Sequence, residues 1–326
     1  MVRRSLIRLL AAATVVAGVA QPVSAAVFTM TRMDAFVGAT RSQYFDSGVS
    51  ATEPLVGAAI QDSLEYIGSS ARARAGHGAL RVGIVSDARN PGQTLYRTGF
   101  NEAIARFSDD VTILIPGVAA GTPASAVASF HVHAAFGADD QGVSAQSSFV
   151  AGGTLSFNMV AGANDARAAL QVGATLDYPQ GGRKLRVQEY LGNGVFDLLY
   201  EASRAGSGGY GFRRDIELDL DFLVGVPFAI EASLRAVGNA LARSPGDRAT
   251  MAVDAMNTAA WGGLSKLTLA DGTPVDTFTA LGGALGTDYA RAIQPVPLPA
   301  PLAPLAGALA TLSLIRRRIG GLCLLR

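Results

Sequence analysis

The run Asp215-Ile216-Glu217-Leu218-Asp219-Leu220-Asp221-Phe222 constrains the fold of this chain more than any other segment. Every even position is apolar and every odd one acidic. Successive side chains of a strand project to opposite faces, so the run has one wet face and one core face. A helix, at 3.6 residues per turn, would smear the four acids around its circumference. Val224-Gly225-Val226-Pro227 breaks the pattern, and Phe228, Ile230 and Leu234 then recur at even spacing with Glu231, Ser233 and Arg235 between them. Residues 214–223 and 227–237 read as two neighbouring antiparallel strands.

Similar short runs extend in both directions: Leu80–Val85, Val111–Ile115, Ser129–His133, Thr154–Val160, Ala169–Val172, Lys184–Tyr190, Val195–Tyr200 and Lys266–Leu269. Clusters of turn-forming residues separate them, at Asn90-Pro91-Gly92, Gly137-Ala138-Asp139-Asp140, Pro179–Gly182, Gly206–Gly209 and Asp271–Pro274. Many short strands with regular turn signals predict a mainly β fold, an antiparallel β-sandwich or jelly roll over residues 26–292. Ala51 to Ile67 reads equally as a short helix or a strand. The small-residue stretch 116–123 is a candidate weak boundary inside the body.

The two ends account for the positive balance of charge. Arg3, Arg4 and Arg8 precede residue 25, and Arg316, Arg317, Arg318 and Arg326 follow residue 296, with no acid at either end. Between them stand 20 basic and 26 acidic residues, a net charge of about −6. An acidic body without a basic run lacks the counterion-releasing surface on which nucleic-acid binding depends. The one cysteine, Cys323, is at the far C-terminus, so the body holds no internal disulfide.

Residues 1–25 have the three parts of a secretory signal. Arg3, Arg4 and Arg8 form a positive start, Leu9 to Ala20 an apolar core too short to span a bilayer comfortably, and Val23-Ser24-Ala25 a small-residue cleavage site. Cleavage is expected after Ala25, with Ala26 the neighbouring option; an uncleaved anchor helix is the alternative.

At the other end, residues 293–326 carry Val296-Pro297-Leu298-Pro299-Ala300 near their start. Leu298 to Ile315 then runs 18 residues without a charge, and Arg316-Arg317-Arg318 stops it. That length suffices for one marginal transmembrane helix, with the arginines on the cytoplasmic side and the body across the membrane. The signal segment independently demands the same topology.

This tail resembles the PEP-CTERM class of protein-sorting signals, in its VPLPA variant. The resemblance implies recognition by an exosortase-type membrane peptidase and cleavage near the Pro motif, followed by release or attachment at the cell surface. Members of that class are exported by Gram-negative bacteria that make extracellular polysaccharide. The likeness covers about thirty residues and does not reach the body.

Within the body no catalytic, cofactor or metal site is assigned. His131 and His133, two apart on a predicted strand, project from one face. The only other histidine, His77, lies upstream, so they do not complete a coordination sphere. Asp215, Glu217, Asp219 and Asp221 lie along an extended strand rather than curling around an ion, and read as its wet face. Asp139 and Asp140, in their Gly-flanked turn, are better placed for calcium but are ordinary turn residues too. No Gly-x-Ser-x-Gly elbow is present. Tyr178, Tyr190, Tyr200, Tyr210 and Trp261 offer rings for stacking on sugars, with core packing as the competing role.

The sequence therefore predicts an exported, non-enzymatic surface or extracellular-matrix protein. Its partners would be signal peptidase, an exosortase-type peptidase, the membrane through its C-terminal helix, and extracellular polysaccharide. The alternatives are a secreted glycan-binding module and a secreted polysaccharide hydrolase.

Overall fold

The computed structural model describes residues 26–37, 40–50, 55–61, 67–92, 97–141, 149–177, 184–192, 195–203, 208–283 and 286–293. Residues 1–25 and 294–326, on which the expected signal and sorting motifs fall, including Ala25, Val296–Ala300 and Arg316–Arg318, lie outside them. Among the described residues the protein is mainly β, with fifteen strands, and no helix there is long and apolar enough to cross a membrane.

The strands are β1 (Ala26–Val37), β2 (Thr40–Ser50), β3 (Leu55–Gln61), β4 (Ile67–Gly76), β5 (Ala79–Arg89), β6 (Arg97–Leu114), β7 (Pro123–Gln141) and β8 (Phe149–Ala161). They continue as β9 (Ala166–Asp177), β10 (Lys184–Gly192), β11 (Val195–Ser203), β12 (Gly208–Leu223), β13 (Phe228–Ala242), β14 (Arg248–Leu269) and β15 (Thr279–Gly282). All pairings are antiparallel. One sheet has nine strands in the order β11-β10-β9-β8-β13-β6-β1-β2, with β15 also on β6. The other has six, in the order β12-β7-β14-β5-β4-β3.

The alternation seen in the sequence decides which side chains meet between the sheets. Phe107 and Phe157 of the nine-stranded sheet enclose Phe130 of the six-stranded one, at centroid separations of 6.4 and 4.7 Å. Trp261 packs edge-on against Phe130 and Tyr289. Most other interior positions on the central strands are Ala, Val, Leu or Ile, and they belong to one continuous core. Asn101 crosses the interior, donating to the Val85 carbonyl at 2.6 Å and to Ser86 Oγ at 2.8 Å.

The structure corrects the pairing of the two most conspicuous strands. β12 and β13 both exist, with the expected wet and core faces, but they are not neighbours. β12 pairs with β7, whereas β13 is inserted between β6 and β8 in the opposite sheet. Their connection is an arch held by the adjacent β6–β7 crossing. Gly121 N–H donates to the Val224 carbonyl, Val224 N–H to that of Thr122, and Gly225 N–H to that of Ile113, all at 2.8–2.9 Å. Those bonds use the backbone groups that a hairpin would have paired, and Phe222 meets Phe228 across the interior at 5.9 Å. The stretch 116–123 is the neighbouring crossing from β6 to the start of β7.

Two further expectations change. Gly137–Asp140 is not a turn. It lies inside β7, where Gly137 is opposite both Gly209 and Ala252 and Asp139 opposite Thr250. Pairing with β14 along the whole stretch, and with β12 as far as Ala138, overrides local turn preference there. Of the ambiguous segment, Leu55–Gln61 is strand β3, so its helical reading is set aside over those residues. Asn90-Pro91-Gly92 and Asp271–Pro274 do form connections, with Asx-type bonds from Gly92 N–H to Asn90 Oδ1 and from Thr273 N–H to Asp271 Oδ1.

The last described residues are fastened to the body. Trp261 Nε1 donates to the Tyr289 carbonyl at 2.8 Å, and Ile293 N–H donates to the Trp261 carbonyl at 2.9 Å. The Tyr289 hydroxyl donates to buried Asp109 at 3.1 Å, and burial, with the Asp109 charge beside it, pushes its pKa far up. Gly78, in the β4–β5 turn, has φ +78°, and a Cβ there would collide with Ile293. A substitution at Gly78 would therefore strain the turn and push the Ile293 side chain aside.

Candidate functional site: a polar trough on the nine-stranded sheet

The residues singled out in the sequence separate on folding. His131 and His133 do share the outer face of β7, but the partner of His131 is Asp215, directly opposite on β12. Its Nδ1–H donates to Asp215 Oδ1 at 2.6 Å. That bond, with the nearby positive charge of Arg213, holds the Asp215 carboxyl below the usual carboxylate range. Both side chains face solvent, at 40% and 57% exposure, so the pair is a screened surface contact. Ser129, two residues before His131, donates its hydroxyl to the Gly263 carbonyl at 3.3 Å.

The remaining acids of β12 line the same outer face. Glu217 lies 3.5 Å from Lys266, and Asp221 accepts from Asn164 Nδ2 at 3.2 Å. Among the described residues no group of three or more His, Cys, Asp and Glu side chains is arranged to hold a metal ion.

The aromatic candidates also divide. Trp261 is wholly buried between the sheets, so its reading as a sugar-stacking ring is withdrawn. Tyr200 and Tyr210 stack on one another at 5.0 Å, joining the edge strands β11 and β12 of opposite sheets. Tyr178 lies outside the described residues. Tyr190 alone of the five is described as an exposed large side chain, at 37%.

Tyr190 stands at the head of a trough that sequence reasoning missed. On the outer face of the nine-stranded sheet, four basins follow one another. The first, of about 520 Å³, is lined by Thr154, Thr175, Gln188 and Asn239. The second, of about 600 Å³, is lined by Ser156, Asn158, Glu189 and Arg235, and shares Gln171 and Tyr190 with the first. A third, of about 130 Å³, continues from Asn158 to Arg106 and Glu231. The fourth, of about 270 Å³, reaches from Arg106 and Glu231 to Ala26 and Phe28. From β10 to β1 the trough crosses six adjacent strands, about 24 Å at the usual inter-strand spacing of about 4.8 Å.

Alternation again explains the lining. On β8, Leu155, Phe157 and Met159 point inward, which sends Thr154, Ser156 and Asn158 outward. On β9, Leu170, Val172 and Ala174 are buried, and Gln171, Gly173 and Thr175 face out. The available signal was a row of uncharged polar residues at every second position, on strands far apart in sequence.

Charges along the trough balance. Arg235 Nε donates to Glu102 at 2.7 Å, while on the core-facing side of β10, opposite Val172, Glu189 accepts from Arg214 of β12, also at 2.7 Å. The Glu189 hydrogen bond raises the already high pKa of Arg214, tightening this link between the edges of the two sheets. Arg106 and Glu231 lie together in the lower basins.

Set against family models, curated proteins and solved structures, the chain matches none of them.

Proposed function

We propose that this chain is an exported cell-surface or extracellular-matrix protein with a non-enzymatic, structural role. Its body is read as a β-sandwich of the sandwich or jelly-roll class. Residues 1–25 direct it across the inner membrane, and a signal peptidase removes them at Ala25 or Ala26. Residues 298–315 hold it briefly in the membrane as a single helix, with Arg316–Arg318 on the cytoplasmic side. An exosortase-type peptidase then acts at Val296–Ala300 and delivers the body to the surface or the polysaccharide matrix.

The observation that carries this reading is the order of segments along the chain: signal, β body, short Pro motif, apolar span, arginine cluster. The arrangement of the body supports it. Ile293 is bonded to Trp261, and only Gln294 and Pro295 separate it from Val296. The sorting motif thus follows directly on the folded body.

Intact-mass measurement of protein recovered from host membrane and extracellular fractions tests the proposal. A species beginning at Ala26 or Val27 and ending within Val296–Ala300 is expected outside the cell. A mature species still ending at Arg326 would remove the sorting step, and the matrix role with it.

A further inference from the structure

We infer that the trough on the nine-stranded sheet binds a neutral polysaccharide chain. Its shape selects a polymer. Four shallow basins joined through shared residues cross six strands, whereas a pocket for a small ligand encloses most of its occupant. A chain lying along this path would touch successive basins without having to end in any of them.

The lining selects the chemistry. Asn158, Gln171, Gln188 and Asn239 each present an amide with both a donor and an acceptor. No side-chain hydrogen bond to another described residue occupies these four. Hydroxyls of Thr154, Ser156 and Thr175 stand between them. Sugar hydroxyls, which both donate and accept, match such a surface. The ring of Tyr190 is shared by the two largest basins, where it can meet the apolar face of a sugar ring while its hydroxyl stays in the polar rim.

Electrostatics separates a neutral polymer from a charged one. Glu102 is bonded to Arg235, and Arg106 sits with Glu231, two charges of each sign. The trough therefore offers no excess of positive charge to a polyanion, and the surrounding body, at about −6, repels one. Nucleic acid is disfavoured by the same balance, although it too would stack on Tyr190.

Affinity electrophoresis of the full chain in detergent tests the inference. The gels would contain the neutral fraction of the host's extracellular polysaccharide, its acidic fraction, or defined neutral polymers such as dextran, laminarin and galactomannan. At least one neutral preparation should retard the protein, with little change between low and moderate salt. Tyr190→Ala should weaken that retardation about tenfold, and Gln171→Ala with Asn158→Ala by a similar factor, from the loss of ring contact and paired hydrogen bonds. Asp219→Ala, on the opposite outer face, should leave it unchanged. Circular dichroism of each variant checks that the fold survives.

Retardation by the acidic fraction alone, retardation unaltered in the Tyr190 and Gln171/Asn158 variants, or none by any neutral preparation would each overturn the inference. These outcomes are independent of processing: a chain that is correctly trimmed yet fails to bind leaves the export proposal standing.

Discussion

On the six-stranded sheet the outward positions of β12 are Asp215, Glu217, Asp219 and Asp221. On the nine-stranded sheet the outward positions of β8 and β9 include Thr154, Ser156, Asn158, Gln171 and Thr175. Both rows arise from the same alternation over the same core, yet they meet water differently. The β12 acids are well exposed, and their contacts with His131 at 2.6 Å and Lys266 at 3.5 Å are both open to solvent. Such a face keeps a protein soluble and needs little geometry. The trough instead has the short pair of Arg235 with the nearly buried Glu102, and presents amides and hydroxyls along most of its length. Neutral groups lose less hydration free energy than charges when a ligand covers them, so the second face is the better binding surface.

The comparison rests on a shared interior, and removing that interior should have the largest effect. Trp261→Ala empties the site that contacts Phe130 and Tyr289 and is expected to cost about 3–5 kcal/mol in urea unfolding. Both faces should be lost in one transition. Two separated transitions would show that the sheets do not depend on a common core.

A smaller effect distinguishes the faces themselves. Arg235→Ala leaves the Glu102 carboxylate, whose side chain is only 9% exposed, without its arginine, and should cost about 1–3 kcal/mol. Lys266→Ala removes a contact in which both side chains are more than 60% exposed, and should change stability by no more than about 0.5 kcal/mol. Equal losses in parallel denaturant titrations would erase the distinction between built and merely solvated charge pairs.

The smallest effect belongs to His131 and Asp215. Because the folded carboxyl is held below its ordinary value, the native state binds that proton less readily than the unfolded chain does. Its contribution is complete above the ordinary Asp range and disappears as pH falls through the depressed folded value. In His131→Ala this acid-side dependence should shrink slightly, with the neutral-pH melting temperature almost unchanged. An identical acid limb in variant and parent would mean the bond does not persist in solution.

Much of the candidate site was illegible in the sequence for a physical reason. Tyr190 was singled out there, but alongside Tyr200, Tyr210 and Trp261, and nothing local separated an exposed ring from three packed ones. Asn158, Gln171, Arg235 and Arg106 stand on four different strands, and each alone reads as an ordinary outward residue. His131 and His133 attracted notice because they are close in sequence, while the actual partner, Asp215, was assigned to a separate row of acids. Side chains form a site when strands become neighbours, and period two carries no information about which strands those are.

By itself, the sequence determined that the body is built of strands, which positions of β12, β13 and β8 face water, and where the charge-free and arginine-rich runs fall along the chain. Those properties are local: alternation sets a face, and a charge-free run sets a length. Only the tertiary structure decided that β12 and β13 join opposite sheets, that Gly137–Asp139 continues a strand, and that six strands line one trough. Each of these depends on backbone groups finding partners across the fold, as when the Val224–Pro227 arch bonds to residues 113–122 rather than closing a hairpin on itself.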